Sequence, residues 1–430
     1  MRGVTLFPNM PRRVWILFAT DLVSFVGTGL VLPFLIVYLH RVRHLPLPTA
    51  GLALSTVAIA GFVGTVVTGG LVDRTGPRGA LILSQLSAAA GALAIAFVHS
   101  PWQAFAAVAV YGFGAAGYWP AIQSMLATAV PPEQRDAVFS LHFMALNAGI
   151  GIGAVIGGIA VSLADPSSFV RVYLVDAATF LVFAILLTQM KSFDAARREA
   201  EHGPAPEAGY AEVFKDRVFI RICLVMVLLV TIGSSQLSSG FPAFASGRGG
   251  ASTRVLGLAF GVNTFIIVVI QLWALKAMKG HRRTRVVMGT CAAWALCWSV
   301  TLVSGLLGGS TIADAGFVVA LGIFGVGETL MAPSIPAIVN HLAPEHLRGR
   351  YNALHSLSFN SGFFIGPAIA GFLLGAGAGV ELFLSLIVGC GVVALLFLWL
   401  EGHIPEEANR IRESDVGSFP PEESLAAGEL

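Results

Sequence analysis

Long apolar runs alternate along this chain with short polar or charged breaks. Twelve windows stand out, at 14–39, 50–72, 80–99, 104–129, 137–161, 170–190, 218–242, 253–278, 286–307, 313–340, 351–375 and 380–400. Each approaches the roughly 20 residues that carry a helix across about 30 Å of hydrocarbon. No water reaches a backbone amide at that depth, so a lone span must satisfy its own hydrogen bonds as a helix. The pattern therefore predicts an all-α membrane protein. Two stretches break the rhythm. Residues 191–217 are polar and charged and read as a linker between two six-helix bodies, 14–190 and 218–400. Residues 401–430 are acidic, with Gly, Ser and Pro, and read as a disordered tail. Residues 1–13 form a short basic N-terminal tail.

The two bodies repeat. Residues 112–158 laid on 325–371 without a gap are identical at 14 of 47 positions, and the matches fall on structural punctuation. They include Gly112/Gly325, Gly114/Gly327, Pro120/Pro333, Arg135/Arg348, His142/His355, Asn147/Asn360, Gly149/Gly362 and Gly153/Gly366. Spans 4 and 5 are thus copies of spans 10 and 11. Parallel repeats of this kind are a known way to build transporters.

Composition agrees. Charged residues make up 12% of the chain and hydrophobic ones 56%, against about 25% charged in soluble domains. Of 26 Lys and Arg, all but Arg41, Arg43, Arg171, Arg248 and Arg254 fall in the tails and the loops of one side. That side is expected to be cytoplasmic, with both termini there and the bilayer being the plasma membrane. Trp15, Trp102 and Trp399 sit at span ends, as interface anchors do. The four cysteines lie inside apolar stretches and read as core residues, not as disulfides or a metal site. A net charge of +2 leaves no footprint for nucleic acid. No phosphate-cradling G-x4-G-K-S/T run and no catalytic constellation occurs, so neither ATP, a cofactor, a metal nor an enzymatic role is expected.

One break is unusually charged: Gly69-Gly70-Leu71-Val72-Asp73-Arg74-Thr75-Gly76-Pro77-Arg78. A turn this short makes spans 2 and 3 antiparallel neighbours. Gly76-Pro77 ends a helix, and Gly69 and Gly70 would let another backbone approach. The run resembles the loop 2–3 signature of the major facilitator superfamily, G-x-L-x-D-R-x-G-R/K-R/K, departing only at Pro77. The resemblance covers residues 12–402 and implies twelve helices in two pseudo-symmetric six-helix bundles. It also implies alternating access, with Gly69, Asp73, Arg74, Gly76 and Arg78 as a gate. When the cytoplasmic side closes, Asp73 should meet the N-terminus of span 11 near Tyr351. The positive end of a helix dipole stabilises an acid there by about 0.3–1 kcal/mol.

Small residues mark the expected seam. Without a hydrophobic drive between helices, spans associate through close packing of such residues. Span 5 carries Gly149, Gly153 and Gly157 at fours, then Gly158; span 11 carries Gly362, Gly366, Pro367 and Ala370; span 8 has Gly257 and Gly261, and span 2 has Gly61 and Gly69. In the superfamily these four spans join the halves, so the glycines are expected between them. The span 5 run also resembles the exporters' G-x3-G-P-x2-G-G motif, with Ala154 at the proline.

Acids within spans are functional candidates by default. Glu328 lies near the middle of span 10, where its repeat partner is Ala115, so the halves differ there. A buried acid at this point could load and release a proton as access alternates. Asp21 stands twelve residues before Pro33 in span 1, a spacing that resembles drug/proton antiporters of the twelve-span class. Their span 4 arginine is absent here, its place being taken by Val108. His142 and His355 are read as structural, and Asp176 as an interface acid beside Arg171. The family architecture implies a cavity lined by Phe25, Tyr111, Trp119, Gln236, Asn263 and Phe324, apolar and aromatic with a few polar groups. That suits lipophilic, often cationic substrates.

The expected activity is proton-coupled efflux of such small molecules by a monomer. An importer or facilitator of a small nutrient is the alternative. A receptor that kept the fold but lost transport is the third reading, and it would be marked by loss of Asp73 or of the intramembrane acids.

Overall fold

The computed structural model describes residues 12–131, 134–190 and 210–411. Among the described residues, twelve helical spans are long and apolar enough to cross a bilayer. In the first body they are α1 (Arg12–Val31), α2 (Leu47–Thr75), α3 (Pro77–Ala96), α4 (Pro101–Ala129), α5 (Arg135–Ala160) and α6 (Ser167–Gln189). In the second they are α7 (Arg217–Ile232), α8 (Thr253–Ala277), α9 (Arg283–Leu306), α10 (Thr311–Leu342), α11 (Arg348–Gly375) and α12 (Gly379–Glu401). The expected linker lies outside the described residues save for its last few.

Local chemistry starts these helices. Asp216 accepts the amides of Val218 and Phe219 at the head of α7, and Ser310 accepts that of Ala313 at the head of α10. Ser100 and Gln103 form a capping box on α4. Pro77 and Pro101 take first-turn positions where a missing N–H does no harm.

Three boundaries differ from the sequence reading. The charged run is helical through Thr75, and a single residue, Gly76, joins α2 to α3. Its φ of 95° is one that glycine adopts without strain. The first span leaves α-geometry at Pro33 and ends in a wide π-turn over Tyr38–Val42. There Tyr38 donates to Ala96 O (2.8 Å) and receives Arg43 Nε (2.7 Å). The seventh span breaks at Gly233, a position where any side chain would strike the Trp294 ring. Trp298 Nε1 donates to the freed carbonyl of Ile232 (2.9 Å).

The expected acidic tail starts later than position 401. Residues up to 411 dock on the α8–α9 connection, where Gly280 N donates to Ile411 O and Ile411 N to His281 O, both 3.1 Å. Thr284 N donates to Asn409 Oδ1 (3.0 Å), and Glu401 takes Arg285 Nη2 and Thr284 Oγ1, each at 3.0 Å.

Each body packs alike: α1 lies on α5 and α6 in the first, α7 on α11 and α12 in the second. The bodies meet along α2–α11 and α5–α8. All the tight seam contacts fall toward one face, the one bearing Arg43. A Cβ on Gly51 would lie 2.3 Å from Pro367 O, and one on Gly257 would lie 2.4 Å from Ala154 O and 2.7 Å from Gly158 Cα. Thr253 Oγ1 donates across the seam to Val161 O (2.7 Å).

Toward the Gly76 face the bodies part. Nothing stands within 4 Å of a Cβ built on Gly69, Gly70 or Gly349. Asp73 and Arg74 are exposed and bond no described residue. Tyr351 instead donates to Asp216 Oδ2 (2.9 Å) within its own body. Among the described residues, the two bodies are therefore in contact at the Arg43 face and apart at the Gly76 face.

The glycine assignment needs correction. Gly149, Gly153 and Gly157 face α1, not the seam: their Cβ positions fall on Phe25 and Leu22, on Val26 O, and on Leu30 O. Gly362 and Gly366 likewise face the seventh span, at Val230 of α7 and at Ser235 just past its break. The stripes at fours hold each body together. A second face of the same helices, with Gly158 on α5 and Pro367 on α11, meets the other body.

Candidate functional site

A buried polar cluster within the first body is built by α1, α4 and α5. Asp21 Oδ2 lies 2.7 Å from His142 Nε2 and 2.7 Å from Tyr118 OH, while Oδ1 lies 2.8 Å from the same hydroxyl. Tyr118 OH and His142 Nε2 are themselves 2.7 Å apart. Asp21, His142 and Tyr118 are 1%, 5% and 7% exposed, so the cluster is out of bulk solvent.

Tyr118 has one O–H, which it donates to the Asp21 carboxyl, and His142 Nε2 shares a hydrogen bond with Oδ2. The cluster therefore joins a carboxyl and an imidazole, two kinds of group that can carry a proton, through one hydrogen bond out of bulk solvent.

Aromatic rings jacket it. Phe18 and Tyr118 stack on the imidazole, each with centroids 6.2 Å away. Phe25 and Trp119 meet it edge-on at 6.2 and 6.4 Å. Trp119 is 41% exposed, so the jacket has one open wall.

The glycine stripe explains why α5 brings His142 here. Gly149 meets Leu22 and Phe25 of α1, and His142 stands seven residues earlier, on the same side of the helix. The sequence reading held His142 to be structural because it recurs as His355. Reading the stripe as an α1 contact would have placed His142 beside Asp21.

Glu328 occupies the second body. It is half-buried near the midpoint of α10, and Asn263 Nδ2 of α8 donates to its Oε2 (3.3 Å) and to Leu321 O (3.2 Å). No described cation pairs with it. The structure thus places Asp21 and Glu328 in separate bodies rather than in one joint site.

The predicted cavity residues divide. Phe25, Trp119 and Asn263 stand beside these acids. Phe324 is fully buried and stacks on Trp294 at 4.7 Å, so it belongs to the core of the second body. Gln236 is also fully buried, donating to Thr231 O (2.8 Å) and Gly366 O (3.3 Å) at the break in the seventh span. Tyr111 is buried edge-on to Phe180. None of these three lines an open cavity, because each fills a gap inside one body.

One further placement is a correction. Arg171 pairs with Asp165 across the α5–α6 turn (2.7 Å), not with Asp176. Arg78 donates to Leu187 O (2.7 Å) and Thr188 O (2.6 Å), tying the start of α3 to the end of α6.

Twelve membrane-spanning helices in two repeated bodies, with acids buried inside them, are the architecture of a membrane transporter. The family comparison says the same: the Major Facilitator Superfamily profile matches residues 17–316 and 282–426, and the chain belongs to that family. It is an integral membrane transporter, not an enzyme. Similar proteins include the uncharacterized MFS-type transporter YttB of Bacillus subtilis (strain 168). It is 26% identical over 388 residues, covering 88% of this chain and 92% of that protein. The quinolone resistance protein NorA of Staphylococcus aureus (strain MRSA252) is 24% identical over 396 residues, covering 90% of this chain and 96% of that one. Among solved structures the nucleoside transporter NupG shares the fold, with a TM-score of 0.74 at 12% identity over 90% of this chain and 98% of that one.

Proposed function

We propose that this chain is a proton-driven exporter of lipophilic or cationic small molecules. It works as a monomer in the plasma membrane, with both termini and the Gly76 face in the cytoplasm. The observation that carries this reading is the buried Asp21–His142–Tyr118 cluster. When loaded, its imidazolium and carboxylate cancel, and the body can close over a neutral site. Once the proton leaves, a net negative charge remains in a low-dielectric setting, which favours contact with water and hence opening. Glu328 serves the other body, where a proton or a cationic substrate group neutralises its carboxylate. The open wall at Phe25 and Trp119 offers the apolar contact.

Gating follows from the same geometry. Asp73 and Arg74, unpartnered among the described residues, and the uncovered Gly69 and Gly70 form the surface that α11 reaches when the cytoplasmic face shuts. Asp73 then exchanges water for the N-terminus of α11. Gly76 and Arg78 keep α2, α3 and α6 moving together. The resemblance of the α5 glycine run to the exporter motif, and the similarity to a quinolone resistance protein, both lean toward efflux.

The test is ethidium transport into everted vesicles with an acid interior. Wild type accumulates the dye, and Asp21→Asn, His142→Gln and Glu328→Gln each lose accumulation. Full accumulation by all three variants, or dye movement that ignores the proton gradient, would remove the proposal.

A further inference from the structure

Asp176 lies on α6 about nine residues from its start, roughly 14 Å into the membrane at 1.5 Å per residue. It is 0% exposed, and neither carboxyl oxygen has a hydrogen-bond partner. The slot is fitted to it. A Cβ on Gly27 would come 2.9 Å from Asp176 Oδ1 and 2.3 Å from Thr179 Oγ1, so α1 carries no side chain at the point where the acid needs room.

The neighbours are apolar or neutral. From α4 comes the Tyr111 hydroxyl, flanked by Thr28 of α1 and by Asp176. Tyr173, one turn back on α6, is fully buried, and its hydroxyl also lacks a partner. The facing helix α3 has Arg78 as its one charged residue, and that guanidinium is engaged at the far end of α6. Among the described residues, no cation faces the carboxyl. An ionised carboxylate with neither donor nor counter-charge carries a desolvation penalty of several kcal/mol or more.

From this we infer that Asp176 is a second proton-carrying site of the first body, loaded and neutral in the conformation seen here. Thr28 follows Asp21 by seven residues on α1, so the new site lies about 10 Å beyond the Asp21 cluster. It is nearer the Arg43 face, which is sealed here. Opening of that face admits outside water. An emptied Asp176 carboxylate, hydrated or hydrogen-bonded by Tyr111 or Tyr173, then takes a proton from hydronium, so that its O–H bond forms and water is left. Reclosure over the site requires that proton, which enters from the outer side as the proton-driven cycle demands. The two sites give the body one proton acceptor for each face.

The experiment is infrared spectroscopy of the purified full-length protein at neutral pH. An Asp21→Asn/Glu328→Gln double variant keeps the carbonyl stretch of a protonated carboxylic acid. Adding Asp176→Asn abolishes it. Absence of the band in the double variant overturns the inference, and that outcome needs no substitution at Asp176 itself. The transport consequence rests on the proton-driven cycle proposed above, whereas the infrared band does not. In everted vesicles, Asp176→Asn loses uphill ethidium accumulation yet retains gradient-independent ethidium exchange. Loss of both, or of neither, means that Asp176 carries no coupled proton.

Discussion

Replacing Gly257 by alanine tests how the seam sets which face is open. The added methyl would sit 2.4 Å from Ala154 O and 2.7 Å from Gly158 Cα. Both are backbone atoms of a packed helix, so no side chain can swing aside. Relief requires α5 and α8 to separate by about 1 Å at the Arg43 face. Overpacking of this kind costs about 1–3 kcal/mol. That penalty falls on the conformation closed at this face and is relieved where the bodies part. The closed conformation is therefore depleted about 5–150-fold relative to the alternative.

The readout is the labelling rate of a cysteine at position 70, where a Cβ meets nothing within 4 Å. The four native cysteines are all buried. In detergent, Gly70→Cys reacts rapidly with a maleimide, and adding Gly257→Ala slows it. Gly153→Ala is the contrast. Its methyl would strike Val26 O at 2.1 Å, but inside one body. It lowers the thermal midpoint and leaves labelling unchanged. If Gly257→Ala folds and labels at the parental rate, the seam does not control access.

Other expectations follow from single contacts. Tyr118→Phe removes the hydroxyl that satisfies Asp21 Oδ1, and leaving that oxygen bare costs about 1–3 kcal/mol; ethidium transport falls accordingly, read as initial rate against pH. Gly233→Ala drives a methyl into the Trp294 ring and breaks its stack on Phe324, so the melting temperature drops sharply in a thermal-shift assay. Asp165 is held below the usual carboxylate range by the Ser167 hydroxyl and by Arg171. Its contribution to stability is present above the unfolded pKa and is lost as pH falls through the lower folded value. Because the Asp165 side chain is about half exposed, at 49%, Asp165→Asn shifts the melting temperature only slightly at neutral pH, and the shift vanishes in acid.

The architecture was legible because its physics is local. Span length, loop charge and the repeat from Gly112 to Gly158 each survive without knowledge of neighbours. Which helix a face meets does not. α5 carries two small-residue faces one position apart, at Gly157 and Gly158, and composition cannot say which meets α1 and which meets α8. The error propagated: with Gly149 turned toward the seam, His142 looked idle instead of adjacent to Asp21. Gln236 and Phe324 were read as cavity residues because span membership was known while helix rotation was not. The break at Gly233, which turns Gln236 inward, depends on Trp294, sixty-one residues away. Asp176 was paired with Arg171 by proximity in sequence, whereas the turn supplied a nearer acid in Asp165.

The single-residue hinge at Gly76 has a mechanical corollary. Two helices joined through one peptide unit, with the second pinned by Arg78 to Leu187 O and Thr188 O, behave as a rigid strut. Force applied to the tip of α2 reaches α6 with little slack. Lengthening this joint by even one residue would convert a lever into a loose linkage, so insertions tolerated in the loops at the Arg43 face should be rejected here.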